Sequence, residues 1–164
     1  MAIEKTKHIS KLSLDDFMID DFALIAIRTP LEDYKLAYHI NKYLETSFVK
    51  ETKELEIKTG ENIHYFSHYT HEDLYSGTYW RLIENQSCQS SYQSIDDTIH
   101  FDDYTSSNHF LPEFKTIDFL IKIEEYNETI DLAIWINQLQ KIKNITTVYQ
   151  IDNEIIKSKK NLFL

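Results

Sequence analysis

Phe22-Ala23-Leu24-Ile25-Ala26-Ile27-Arg28-Thr29-Pro30-Leu31-Glu32 is the stretch on which the fold turns. Its first six residues form an unbroken apolar run with no alternation. A run of that length bounded by polar residues predicts a central strand buried on both faces. Helix-start chemistry follows at once. Thr29 can cap, Pro30 suits the first helical position, and Glu32 can complete a capping box. The spacing predicts a helix to about Glu45, with Leu36, Ala37, Ile40 and Leu44 along one stripe.

Downstream, Phe48 to Lys58 reads as a strand with Val49, Leu55 and Ile57 on one face. Thr59-Gly60-Glu61-Asn62 turns the chain, and two strands follow, Ile63 to Thr70 and Tyr79 to Glu84, joined around Ser76-Gly77. Ile117, Phe119, Ile121 and Ile123 alternate with Asp118, Leu120 and Lys122, which predicts a strand with one buried face. Thr129 is placed to cap a second helix to about Lys143, with Leu132, Trp135, Ile136, Leu139 and Ile142 as its stripe. Asn144 can close that helix before a last strand, Ile145 to Ile151. Upstream, Ile9 to Leu14 reads as a first strand.

The expected class is therefore α+β, one domain over residues 1–164. Two βαβ units, Phe22 to Ile57 and Ile117 to Ile151, point to a ferredoxin-like split βαβ sandwich. Its antiparallel sheet would carry both helices on one face. An extra hairpin, the N-terminal strand and a long acidic loop would decorate it. That loop is Gln86 to Phe110, which holds no Lys, Arg, Gly or Pro but six serines and the pairs Asp96-Asp97 and Asp102-Asp103. Loops of this length are often functional, and this one is the expected site of first proteolysis.

Composition narrows the function. The chain has 164 residues, 42% hydrophobic, with 11 Tyr and 9 Phe, enough apolar mass for a core without staples. The net charge of −10 repels phosphate backbones and argues against nucleic acid or anionic membrane as a general partner. A single cysteine, Cys88, allows no internal disulfide and no four-cysteine zinc site. No stretch is apolar for the length of a membrane span, and the start is polar, so a cytoplasmic protein is expected.

Leu111-Pro112-Glu113-Phe114-Lys115-Thr116-Ile117-Asp118-Phe119 is similar to the signature of the IPExxxVDY family of Bacteroidota proteins. Pro112, Glu113 and Asp118 match outright, while Leu111, Ile117 and Phe119 stand for Ile, Val and Tyr. The stretches Leu31 to Tyr38 and Ile156 to Leu162 also resemble that family. The resemblance implies a cytoplasmic bacterial protein and carries over no mechanism.

No G-x-S-x-G, H-E-x-x-H or P-loop pattern occurs, so no catalytic residue is named and no cofactor is called for. His64, His68 and His71 are weak metal candidates, because His64 and His68 would share one face of a single strand. Histidines of an ordinary sheet face are the favoured reading. Glu113 and Asp118 can be read as a catalytic carboxylate pair, but a structural role at the entry to a strand is favoured, with Asp118 paired to a cation such as Arg28. A nucleophile at Cys88, served by His100 or His109, would need a base that spacing alone does not show. Tyr65, Tyr69, Tyr79 and Trp80 could make an aromatic platform, although such RNA binders carry a basic field.

The expected function is a non-catalytic module that binds or scaffolds another, unidentified protein. The alternative is a small-ligand-sensing regulatory domain, ACT-like by fold analogy only. A homodimer is also expected, since such sheets leave an edge or a face open.

Overall fold

The computed structural model describes residues 22–87, 108–126 and 130–164. The chain is a mixed α+β protein built on a six-stranded antiparallel sheet with two helices. The unbroken apolar run forms β1 (Phe22–Arg28), buried from Phe22 to Ile27. It is followed by α1 (Asp33–Leu44), β2 (Val49–Lys50), β3 (Leu55–Thr59), β4 (Asn62–Phe66), β5 (His68–Asp73) and β6 (Thr78–Glu84). Then come β7 (Gln86–Ser87), β8 (Asn108–His109), β9 (Phe119–Glu124), α2 (Leu132–Gln140) and β10 (Thr147–Ile151). The main sheet runs β10-β1-β9-β6-β5-β2, every neighbour antiparallel, while β3-β4 and β7-β8 form separate two-stranded ladders.

Both helices cover one face. Leu36, Ala37 and Ile40 of α1 and Leu132 and Leu139 of α2 pack with Ala23, Ile25, Ile27, Phe119, Ile121 and Ile123. The opposite face is not open. Leu55 and Phe66 of the β3-β4 hairpin, Phe110 and Leu111, and Ile156 and Leu162 of the C-terminal segment lie on Phe22, Leu24, Ala26 and Leu120. The sheet face whose exposure favoured a homodimer is thus roofed by the chain itself.

That roof explains where alternation misleads. β9 was expected to bury one face, yet Leu120 and Lys122 are as covered as Ile121 and Ile123. Ile117 precedes the strand and joins the core on the roofed face, opposite to Phe119. The expected strand Phe48 to Lys58 breaks at the polar residues 51–54, where the chain leaves the sheet to form the hairpin. Val49 is therefore exposed while Leu55 is buried. The return breaks at Ser67, so Ile63 to Thr70 is two strands. Gly60 (φ +63°) and Gly77 (φ +69°) supply the left-handed residues of the two hairpin turns.

Helix starts differ too. α1 begins at Asp33, later than expected: Thr29 Oγ1 does accept from the Leu31 N–H (3.2 Å), but its own N–H goes to Asp118 and its hydroxyl donates to the Asn144 carbonyl, and regular helix starts only after Glu32. Glu32 makes no side-chain cap bond and instead meets Lys35 at 2.6 Å. Asp131 caps α2 by accepting from the N–H groups of Ala133 and Ile134. The expected cap Thr129 lies outside the described residues, as do the expected strand Ile9 to Leu14 and most of the Gln86–Phe110 segment. Its two ends pair as β7 and β8.

Candidate functional site

The nine residues from Leu111 to Phe119 form two consecutive turns that lead into β9. Phe114 N–H donates to the Leu111 carbonyl (3.0 Å) and Ile117 N–H to the Phe114 carbonyl (3.1 Å). Asn85, just after β6 and 0% exposed, organises them. Its Nδ2 donates to the carbonyls of Phe114 and Ile117, each at 2.9 Å, and its Oδ1 accepts from Leu111 N–H at 2.9 Å. Its backbone N–H donates to the Asp118 carbonyl (2.8 Å), and its carbonyl accepts from Phe110 N–H (2.7 Å). One amide side chain and its own peptide groups therefore satisfy four backbone groups of the motif and the N–H of Phe110 just before it.

Both motif carboxylates face backbone donors. Asp118 Oδ2 accepts from Thr29 N–H at 2.7 Å. The end of β1 does lie beside Asp118, but the donor is this peptide group and not Arg28, whose side chain is exposed. Among the described residues no ion pair joins Asp118 to Arg28. Glu113 Oε1 accepts from the N–H groups of Lys157 (2.7 Å) and Ser158 (2.8 Å). Burial pushes the Glu113 carboxyl up, but these N–H groups outweigh it and hold the acid below its ordinary value. Glu113 thereby ties the motif to the C-terminal segment. Asn161 adds a second tie through its Nδ2 to the Phe110 carbonyl (2.7 Å).

Two polar centres carried no sequence signal. Asp33 accepts from Tyr34 N–H (2.7 Å), Lys50 Nζ (2.9 Å), Ser67 Oγ (3.0 Å) and the Tyr69 hydroxyl (3.2 Å), which fastens the start of α1 to β2 and β5. Burial opposes its ionisation, yet Lys50 and the other donors bring its pKa down. Burial first, then Asp33, pushes the Tyr69 hydroxyl far upward. The second centre is Lys122, buried on the roofed face. Its ammonium donates to Glu124 (2.8 Å) and to the Leu162 carbonyl (2.5 Å) and lies 5.2 Å from the centre of the Phe163 ring. Burial lowers its pKa, and Glu124 only partly restores it.

The three candidate histidines are not brought together. His64 is on β4, where Asn108 Nδ2 meets its ring (2.7 Å to Nε2). His68 and His71 are on β5 and point to opposite faces, His71 toward Ser47. Among the described residues, no group of three or more His, Cys, Asp and Glu could hold a metal ion. The aromatic candidates separate as well. Tyr69 and Trp80 are buried under the helices, and Tyr65 is exposed on the hairpin. Cys88 and His100 lie outside the described residues, and His109 sits half-buried in β8.

Comparison with family models, with curated proteins and with solved structures finds no match to this chain. Functional inference rests on its own surface. Among the described residues, the outer side of α1 exposes aromatic rings. Tyr34 (56% exposed) and Tyr38 (61%), four residues apart, stand along it, opposite the buried Leu36, Ala37 and Ile40, while Tyr43 (47%) stands half a turn round from Tyr34, beside the buried stripe. Neighbours hold the rings in place. The Tyr34 hydroxyl donates to Glu32 (2.9 Å), Lys35 lies 5.4 Å from the Tyr34 ring centre, and His39 sits between Tyr38 and Tyr43. Among the described residues no helix is long and apolar enough to cross a membrane.

Proposed function

We propose that this chain is a non-catalytic module that docks a protein partner through the outer side of α1. The tyrosine row carries the reading. Tyrosine offers a large, amphipathic contact at low entropic cost, and it is enriched where proteins bind proteins. Here Tyr34 and Tyr38, at i and i+4, share one exposed side of a helix whose other side is anchored in the core, and His39 continues the aromatic surface round to Tyr43. The motif from Leu111 to Phe119 supports the same division of labour, since its polar groups are spent on the chain's own backbone. It belongs, on this reading, to the IPExxxVDY family, and its part is to fasten the roof of the sheet. The four strands β10-β1-β9-β6 we read as a ferredoxin-like split βαβ core. In support, β1 lies between β9 and β10, the strands that α2 joins. The setting is proposed to be the cytoplasm.

The test is a double variant, Tyr34→Ala with Tyr38→Ala, compared with wild type for capture of a stoichiometric partner from native cytoplasm. The variant should lose that partner while melting as wild type does. Equal capture by the variant would remove α1 as the docking surface.

A further inference from the structure

On the roofed side of the sheet, away from α1, a cavity of about 450 Å³ opens between the hairpin and the strands β5 and β6. Its size is within the roughly 300–1,000 Å³ of clefts that take small molecules. His68, Arg81, Leu55 and Leu164 line it, together with Lys53 and the carboxylates Glu51, Glu54 and Glu56. Strand register explains the pairing at its floor. His68 is opposite Ile83 and Thr70 is opposite Arg81, so His68 and Arg81 are diagonal neighbours on one sheet face.

Two nitrogens of these side chains are unsatisfied. His68 is only 7% exposed, and its Nδ1 is buried without a hydrogen-bond partner. Arg81 Nε is buried without one as well. The rest of the Arg81 fork is engaged: Nη1 donates to the Leu164 oxygen (2.6 Å), and Nη2 lies 3.8 Å from Glu124. Burial, and then Arg81, hold His68 below its ordinary pKa, so near neutral pH its ring is uncharged with one N–H to give. Buried polar nitrogens left unpaired are costly, and such groups call for an explanation. A group that accepts from both would relieve that cost.

We infer that this cavity binds a small zwitterion, its carboxylate on Arg81 and His68 and its ammonium among Glu51, Glu54 and Glu56. A carboxylate can accept from two N–H donors at once. Three acids against Lys53 and Arg81 leave the lining net negative, which disfavours phosphates and dicarboxylates and leaves room for a cationic end. The buried side chain of Leu55 offers an apolar contact to the aliphatic part between.

The probes are free α-, β- and γ-amino acids at millimolar concentration, each with its N-acetyl and carboxamide counterparts, plus acetate and inorganic phosphate. Binding to the full chain is read by calorimetry and by the His68 ring resonances. At least one free amino acid should bind saturably, shift those resonances, and lose more than tenfold in affinity when either charged end is blocked. His68→Phe keeps the buried shape and should abolish binding with the melting temperature unchanged. Glu54→Gln, on an exposed side chain, should weaken the zwitterion several-fold. The inference fails if no amino acid in the panel binds, if His68→Phe binds as well as wild type, or if acetate or phosphate binds as tightly as the zwitterion.

Discussion

Replacing Asn85 with alanine removes the side chain that holds the two turns of the motif. Three hydrogen bonds vanish, from Nδ2 to the carbonyls of Phe114 and Ile117 and from Leu111 N–H to Oδ1. Asn85 is fully buried, so water does not simply take its place. The Leu111 N–H has no second option and costs about 1–3 kcal/mol if left unpaired. The two carbonyls tolerate the loss better, because each retains another lone pair. The sum is about 3–4 kcal/mol. For a chain of this size, each kcal/mol lowers the melting temperature by about 2–4 °C, so Asn85→Ala should melt about 6–16 °C below wild type. Asn85→Asp is the sharper companion. It keeps the acceptor for Leu111 but turns a carboxylate oxygen toward two carbonyls, so at neutral pH it should be at least as damaging. In acid, the protonated side chain regains a donor and the deficit should narrow. Thermal unfolding followed by circular dichroism reads both variants. An Asn85→Ala protein that melts within about 2 °C of wild type would show that the motif does not depend on this amide.

Asp118→Ala removes the acceptor for Thr29 N–H and should cost about 1–3 kcal/mol in urea unfolding, with Asp118→Asn recovering part of it. Glu113 is held below its ordinary pKa in the folded chain, so its contribution is present above the unfolded value of about 4.3 and is lost as pH falls through the folded value. The stability gap between wild type and Glu113→Gln should therefore be constant at neutral pH and close in acid; a gap that widens in acid would contradict the assignment. Gly60 has open space where a Cβ would go but sits at φ +63°, so Gly60→Ala should cost about 1–2 kcal/mol, all of it conformational.

Most of the fold was legible because its signals are local. The apolar run Phe22 to Ile27, the Leu36/Ala37/Ile40 stripe and the glycines of two hairpin turns each need only their neighbours to be read. What escaped depends on contacts distant in sequence. Nothing near Glu51 or Ser67 says that the chain between them lifts out of the sheet to roof it. Without the roof, Leu120 and Lys122 look like an exposed face. Thr29 accepts locally from the Leu31 N–H, as its cap chemistry suggests, but its bonds to Asp118 and Asn144, 89 and 115 residues away, could not be read from its neighbours. The motif acids could be named from sequence, whereas their organiser could not. Asn85 reaches Leu111, Phe114 and Ile117 across 26–32 residues and resembles any polar residue after a strand.

The most direct test compares partner affinity across two folded variants by titration calorimetry. Tyr34→Ala/Tyr38→Ala alters the docking face, and Glu113→Ala alters the motif. The account predicts that the tyrosine variant binds the captured partner more than about tenfold more weakly, a loss above about 1.4 kcal/mol, at an unchanged melting temperature. Glu113→Ala should bind as wild type does. A tyrosine variant with wild-type affinity, beside a folded Glu113→Ala that no longer binds, would contradict it and make the motif the functional site.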